Sequence, residues 1–287
     1  MSPLTITAHS SLCLVIGDPI SHSLSPAMHN AGYAALNLPF VMAAAHVTPE
    51  KLRDALRGMR AMNIRGLAVT MPHKISIVKL LDALDSTAEE IGAVNTVVNE
   101  GGKLVGYNTD WIGIVKPLER LAPLRGKKVL VLGAGGAAQA AVFGCTGRGA
   151  QVTICNRTIN KARTIARTWK AAVLPIEKSS ELAAFDVIIN TTSLGMGALA
   201  DESPIPASAI CKHHTVFETI YDPFSTRIIR DAEAQGATVL RGVDMFLEQG
   251  LAQFELHTGG NNPGVNGTRE VMEKICNYSP QYKLVAG

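Results

Sequence analysis

Lys127-Lys128-Val129-Leu130-Val131-Leu132-Gly133-Ala134-Gly135-Gly136-Ala137-Ala138 is the stretch that decides the fold. Residues 129–132 form a short, apolar, partly β-branched run, the signature of a strand buried on both faces. The run feeds Gly133, Gly135 and Ala138, which fit the spacing G-x-G-x-x-A. In such a turn the first glycine lets the chain reverse tightly. The second lets the backbone approach a pyrophosphate, and the small third residue lets the next helix pack closely on the strand. That helix is expected over 137–148, stopped by Gly149. Its first-turn N–H groups are unpaired and lie at the positive end of the helix dipole, so they attract an anion. Gln151-Val152-Thr153-Ile154-Cys155 then reads as a second strand. Strand, Gly-rich turn, helix and strand within about thirty residues make a dinucleotide-binding unit.

The end of that second strand selects the dinucleotide. An NAD site carries Asp or Glu there, roughly 20 residues past the glycines, to bond the ribose 2′-hydroxyl. This chain has Asn156-Arg157-Thr158 and then Lys161, with no carboxylate in the window. Arg157 and Lys161, with two polar side chains, suit a 2′-phosphate, because a guanidinium makes paired, charge-assisted bonds to phosphate. NADP is therefore expected rather than NAD. The bland alternative is a helix N-cap at Asn156 or Thr158 beside a solvated arginine.

At 287 residues the chain is long enough for two domains with real cores. Its 47% apolar and 18% charged content describes a globular protein without a membrane span. The net charge of +3 is mild, and no basic block with interleaved aromatics occurs, so nucleic acid is not an expected partner. An anionic substrate and cofactor would use the surplus. The five cysteines are scattered, with no Cys-x-x-Cys, so neither a disulfide framework, a metal site nor a Cys/His cluster is expected. Cys13 and Cys155 lie inside apolar runs and read as core thiols. The first residues lack a basic segment followed by a long apolar run, so a cytoplasmic protein is expected.

Ahead of the glycine turn the chain alternates strands and helices of its own, without a Gly-rich fingerprint. Strands are expected at 12–16, 40–43, 65–71 and 91–98, with a helix over 49–62 ending near Asn63. Ser21-His22-Ser23-Leu24-Ser25-Pro26 precedes a helix, with Pro26 at its first position. One cap needs one hydroxyl, so Ser23 and Ser25 either cap the helix or face a pocket at the strand's C-terminal end. His73 and Lys74 follow Pro72 at the start of another helix. Lys74 is either a solvated charge or a cation aimed by a carboxylate. His73 competes for a catalytic role through its convenient pKa. Asn95 and Thr96 interrupt an apolar run and must be bonded inside or face a ligand. A hairpin crosses Gly101-Gly102, and Asp110 opens the next helix, as an N-cap, a catalytic carboxylate, or both.

Past the second nucleotide-binding strand, strands are expected at 172–175, 185–190, 216–221 and 238–240, alternating with helices. The helix over 243–257 is expected to return to the N-terminal domain. The fold class is therefore α/β. An N-terminal α/β substrate domain (1–110, completed by 243–287) joins a Rossmann-type NADP-binding domain (111–242).

These stretches together resemble the shikimate dehydrogenase family over nearly the whole chain. The matching pieces, in order, start with Gly17-Asp18-Pro19-Ile20-Ser21-His22-Ser23-Leu24-Ser25-Pro26, Val69-Thr70-Met71-Pro72-His73-Lys74 and Gly92-Ala93-Val94-Asn95-Thr96. They continue with Asn108-Thr109-Asp110, 133–137, Asn156-Arg157-Thr158 and Gly242-x-x-Met245-x-x-x-Gln249. The resemblance implies NADP-dependent reduction of 3-dehydroshikimate to shikimate in aromatic amino acid biosynthesis. It implies Lys74 and Asp110 as the catalytic pair. It places Ser23, Ser25, Thr70, Asn95, Tyr221 and Gln249 on the substrate. Gly133, Ala134, Gly135, Gly136, Ala137, Asn156, Arg157, Thr158, Lys161, Thr219, Gly242 and Met245 fall to the cofactor. A monomer or homodimer is expected. The family's strand before the lysine usually reads Asn-Val-Thr, whereas this one reads Ala68-Val69-Thr70. That departure leaves room for quinate as an alternative substrate. Glu218 stands where the family often has Asp.

Overall fold

The computed structural model describes residues 6–175, 179–264 and 268–277. The chain divides into two compact units, 1–109 with 249–287, and 110–248.

The first unit is built on a mixed six-stranded sheet in the order β2-β1-β3-β5-β6-β4. Its strands are β1 (Ser11–Gly17), β2 (Phe40–His46), β3 (Gly66–Val69), β4 (Ala83–Leu84), β5 (Thr96–Glu100) and β6 (Lys103–Tyr107). β1 pairs in parallel with β2 and β3, which sets Ile16 beside Val69. β5 runs antiparallel to β3 and to β6. The β5–β6 reversal uses Gly101 and Gly102, both at positive φ (64° and 97°), where glycine has no steric penalty. The helices of this unit are α1 (Ser25–Ala35), α2 (Leu52–Ala61), α3 (His73–Ser76), α4 (Ser86–Ile91) and α10 (Thr268–Asn277), together with the later part of α9 (Gly242–Thr258).

β11 ends at Glu218 rather than at the expected residue 221, and the strand expected at 91–98 differs more. The apolar run 91–98 is not one strand. The Asp85 side chain accepts from the Thr87 and Ala88 N–H groups and so starts α4, and Gly92 ends it in the left-handed conformation (φ 72°). The run is apolar because it is buried in both states, and only from Thr96 does it pair as a strand. α2 stops as expected, with Asn63 at φ 49°.

The second unit holds an all-parallel six-stranded sheet in the order β12-β11-β10-β7-β8-β9. The strands are β7 (Lys128–Leu132), β8 (Gln151–Cys155), β9 (Ala172–Leu174), β10 (Val187–Asn190), β11 (Thr215–Glu218) and β12 (Thr238–Leu240). The helices are α5 (Asp110–Leu121), α6 (Gly136–Gly147), α7 (Ile159–Trp169), α8 (Arg227–Ala234) and the start of α9. Alternation along β7 explains the layering. Val129 and Val131 enter one core cluster, with Ile114, Val142 and Phe217, while Leu130 and Leu132 enter another, with Ile188, Val216 and Ile229. A strand packed on both faces reads as a continuous apolar run, and each such side chain contributes about 1.5–3 kcal/mol on burial. The strand order reverses between β7 and β10, the place where open α/β sheets hold their ligands.

Candidate active site

In the first unit the ends of β1 and β3 converge. A Cβ on Gly17 would lie 2.5 Å from Thr70 Cγ2 and 2.9 Å from the Met71 carbonyl, so only glycine allows these two strand ends to meet. Their register brings the loop 18–25 beside Thr70 and the start of α3. Ser23 Oγ accepts from the Ser25 N–H (3.3 Å), and Ser25 is buried at the head of α1, whose N-cap makes no side-chain bond. Thr70 is half-buried.

The structure separates His73 from Lys74. His73 is fully buried, and its Nε2 donates to the Val47 carbonyl at 2.7 Å. That imidazole is a structural link between α3 and the strap after β2. Lys74 is half-buried and follows it on the first turn of α3.

Asn95 is a buried hub. Its Nδ2 donates to Thr109 Oγ1 (2.8 Å) and to Gln249 Oε1 (3.2 Å). Its Oδ1 accepts from the Thr109 N–H (2.8 Å) and the Thr96 hydroxyl (2.9 Å). Gln253 Nε2 donates to the Asn95 carbonyl (2.9 Å). The polar pair that interrupts the apolar run is thus bonded inside, and it holds the backbone one residue before Asp110. Asp110 itself is buried at the head of α5. Thr109 and Gln253 were not singled out from sequence. Ala68 is 4% exposed and clusters with Val15 and Ile20, so the position is aliphatic in its surroundings as well as in its own side chain.

In the second unit the glycine turn has the conformation its spacing implies. Gly133 sits at φ 118°, and a Cβ there would lie 2.4 Å from Thr191 Oγ1. Gly135 caps α6, and no atom lies within 4 Å of where its Cβ would be, which leaves room for a ligand to approach. Ala134 completes the turn, Gly136 and Ala137 open α6, and Ala138 on its first turn is fully buried in the core. Past β8, Asn156 Nδ2 donates to the Thr158 carbonyl (2.9 Å) and shapes the turn into α7, whose N-cap is Thr158. Arg157 on this turn and Lys161 on the first turn of α7 are exposed, as cations reaching for a phosphate would be. The open glycine turn at a helix N-terminus, followed by two exposed cations, fits a dinucleotide carrying an extra phosphate.

At the far side of the switch point lies a network that sequence reasoning had passed over. Glu218 is 1% exposed at the end of β11. Its carboxylate accepts from Asn190 Nδ2 (2.9 and 3.1 Å), the Ile220 N–H (3.0 Å) and the Thr226 hydroxyl (2.8 Å). Burial pushes its pKa up to about 7, against the pull of those donors. A glutamate and an asparagine closing otherwise apolar strands were the available signal. Thr219 N–H bonds the Asn190 carbonyl (3.1 Å). Tyr221 stacks at a tilt on Phe246, 4.7 Å between ring centres. A Cβ on Gly242 would fall 2.2 Å from the Ile220 carbonyl carbon and oxygen, so glycine is obligatory where α9 meets this segment. Met245 packs into the core with Phe217 and Leu240.

One expectation needs correction. Cys211, His213 and His214 do come together, with donor atoms within 4.8 Å of one another. Their bonds are structural: His214 Nδ1 accepts from the Cys211 N–H (3.0 Å), and His213 Nε2 meets the Phe185 carbonyl (3.1 Å). The short spacing in Cys211-Lys212-His213-His214 was visible in the sequence. Cys13, Cys145 and Cys155 are buried, and burial pushes the Cys13 thiol up to about 12. Among the described residues no helix is long and apolar enough to cross a membrane.

Two family models match the chain. One, described as the shikimate dehydrogenase substrate binding domain, covers residues 15–97, and the other, shikimate / quinate 5-dehydrogenase, covers 117–204. The NADP(+)-dependent shikimate dehydrogenase of Bacillus cereus is 42% identical over 266 residues, spanning 90% of this chain and 96% of the relative. Among solved structures, shikimate dehydrogenase from Aquifex aeolicus superposes with a TM-score of 0.87 at 39% identity, covering 93% of this chain and 99% of the other. Shikimate 5-dehydrogenase from Thermus thermophilus, in complex with NADP(H) and shikimate, does so with a TM-score of 0.83 at 33% identity, covering 94% and 99%. The α/β fold and its glycine turn define a dinucleotide-dependent oxidoreductase. The chain belongs to the shikimate dehydrogenase family.

Proposed function

We propose that the protein catalyses the reversible, NADP-dependent reduction of 3-dehydroshikimate to shikimate. The observation that carries this reading is the 42% identity, over 90% of the chain, to an NADP-dependent shikimate dehydrogenase. The first unit serves as the substrate domain and the second as the cofactor domain. When bound, NADPH supplies the hydride. Gly133 to Ala137 and the α6 N-terminus hold its pyrophosphate. Asn156, Arg157, Thr158 and Lys161 hold the 2′-phosphate, and Thr219, Gly242 and Met245 border the nicotinamide.

Lys74, as ammonium, stabilises the negative charge that grows on the substrate's carbonyl oxygen and donates the proton that makes it an alcohol. Asp110 is the carboxylate that the family pattern pairs with that lysine. Ser23, Ser25, Thr70, Asn95, Tyr221 and Gln249 bind the substrate's carboxylate and hydroxyls. Asn95 also acts through Thr109 and Gln249, whose positions its amide sets. The protein works in the cytoplasm, in aromatic amino acid biosynthesis, as a monomer or homodimer.

Quinate is the second reading, favoured by Ala68 in its aliphatic pocket and by the shikimate / quinate description of the matched family model. The test is absorbance at the reduced-nicotinamide band with shikimate and with quinate, each with NADP⁺ and NAD⁺. Turnover of shikimate with NADP⁺ supports the proposal. Preference for quinate overturns the substrate, and preference for NAD⁺ overturns the phosphate site.

A further inference from the structure

We infer that Glu218 is a positioning residue for the nicotinamide side of the cofactor domain, where its carboxylate ties three ligand-edge loops into one rigid piece. The inference rests on the function proposed above for its kinetic test, but the network is a property of the second unit alone.

The geometry is that of an acceptor knot. Glu218 Oε1 takes the Ile220 N–H, Oε2 takes the Thr226 hydroxyl, and Asn190 Nδ2 reaches both oxygens. Each donor comes from a different segment. Asn190 ends β10, and its own Oδ1 accepts from the Thr192 N–H (3.0 Å) and hydroxyl (2.8 Å). Thr192 Oγ1 in turn accepts from the Leu194 N–H (3.2 Å), so the loop 191–194 hangs from the same carboxylate. Ile220 lies on the segment 219–221, which carries the proposed cofactor residue Thr219 and the proposed substrate residue Tyr221.

Thr226 stands at the N-cap of α8 but makes no capping bond there. Its hydroxyl goes to Glu218 instead. A free cap is worth about 1 kcal/mol to a helix, so the diversion points to a network that is stronger than the cap. Ile220 is held from two sides, its N–H by Glu218 and its carbonyl by the bare Cα of Gly242.

Only an ionised carboxylate answers this arrangement. All the groups that face it are neutral donors: the Asn190 amide, the Thr226 hydroxyl and the Thr219 and Ile220 N–H groups. A carboxamide of the same size turns an NH₂ toward one of them, and a buried donor facing a donor is unsatisfied. Protonation of the carboxyl has the same effect.

The experiment compares wild type, Glu218→Gln, Thr226→Val and Thr226→Ser, reading kcat, KM for each substrate, and NADPH affinity by the fluorescence of the reduced cofactor. Glu218→Gln is expected to raise KM for NADP⁺ and lower kcat by roughly tenfold or more, because displacement of a positioning segment by about 1 Å has effects of that size. Thr226→Val shifts both in the same direction by less, and Thr226→Ser restores them. Wild-type kcat is expected to fall on the acid side as Glu218, whose pKa burial raises to about 7, takes up its proton, and that limb is expected to be absent in Glu218→Gln. Wild-type constants in both Glu218→Gln and Thr226→Val overturn the proposal, as does a Thr226→Ser variant no better than Thr226→Val. If Glu218→Gln does not fold, the Val/Ser pair at Thr226 decides. If wild type turns over no shikimate, the functional reading fails, while NADPH affinity still tests Glu218.

Discussion

Asn95 and Thr109 exchange two hydrogen bonds, each of 2.8 Å: the Asn95 amide donates to the threonine hydroxyl, and the threonine N–H donates to the amide oxygen. The pair fixes the backbone just before Asp110 without using Asp110 itself. Replacing Asn95 with Leu keeps the volume but removes the side-chain acceptor of two buried donors, the Thr109 N–H and the Thr96 hydroxyl. The expected loss is about 3 kcal/mol of stability, counting these two donors at about 1–3 kcal/mol each. Urea unfolding measures it, and a change under about 1 kcal/mol would show that water or a shifted neighbour repairs the network.

His73 and Lys74 are neighbours in different surroundings, the first fully buried against the Val47 carbonyl and the second half-buried. Lys74→Met is expected to lower kcat by about 10²–10⁴-fold, the usual span for a lost general acid, while stability moves by no more than about 0.5 kcal/mol. His73→Ala should do the reverse. It leaves the Val47 carbonyl unpaired and costs about 1–3 kcal/mol, with kcat of the folded fraction nearly unchanged. Kinetics and unfolding on the same two variants test both assignments, and loss of kcat in His73→Ala at full folding would reverse them.

Arg157 is exposed beside Thr158 and belongs to the proposed 2′-phosphate site. Arg157→Ala should raise KM for NADPH by roughly tenfold, the worth of one charge-assisted bond, and leave KM for NADH alone. The effect should shrink with added salt, since the site is open to solvent. Equal changes for both cofactors would place Arg157 outside the phosphate site.

The pH dependence of stability has two opposed sources. His29 and His257 are fully buried with ring centres 6.0 Å apart, and burial lowers them to about 3 and about 4. Both must be neutral to fold. Their contribution is intact above the unfolded value near 6.5 and is lost as pH falls below it, by about 2 kcal/mol each between pH 7 and 5. Glu218 has the opposite sign: its raised pKa, about 7, makes folding harder as pH rises. It returns about 2 kcal/mol over the same fall in pH. Wild type should therefore lose about 2 kcal/mol between pH 7 and 5, and Glu218→Gln about 4 kcal/mol. Urea titrations at the two pH values check this, and equal losses in the two proteins would show that Glu218 is ionised throughout.

The nucleotide-binding unit was legible in the sequence because its signals are local. The run 129–132, Gly133 and Gly135 state strand, turn and helix within a few residues, and Val and Leu alternate between two cores as a two-residue period requires. The boundary at 91–98 was not legible, because an apolar run describes burial and not backbone conformation. Asp85 and Gly92, the two caps, carried the information instead. His73 and Lys74 could not be told apart by type. Which of them turns inward is set by the first turn of α3 and by Val47, far away in the chain. The Asn95 hub was illegible for the same reason, since Gln249 lies 154 positions downstream.

Ala68 ties two neighbouring strands together. Its methyl group is packed with Val15 and Ile20, and Val15 lies beside it in the β1–β3 register. An amide at this position would be set against two aliphatic side chains, so Ala68→Asn by itself carries a cost in stability that a polar partner at position 15 or 20 would reduce.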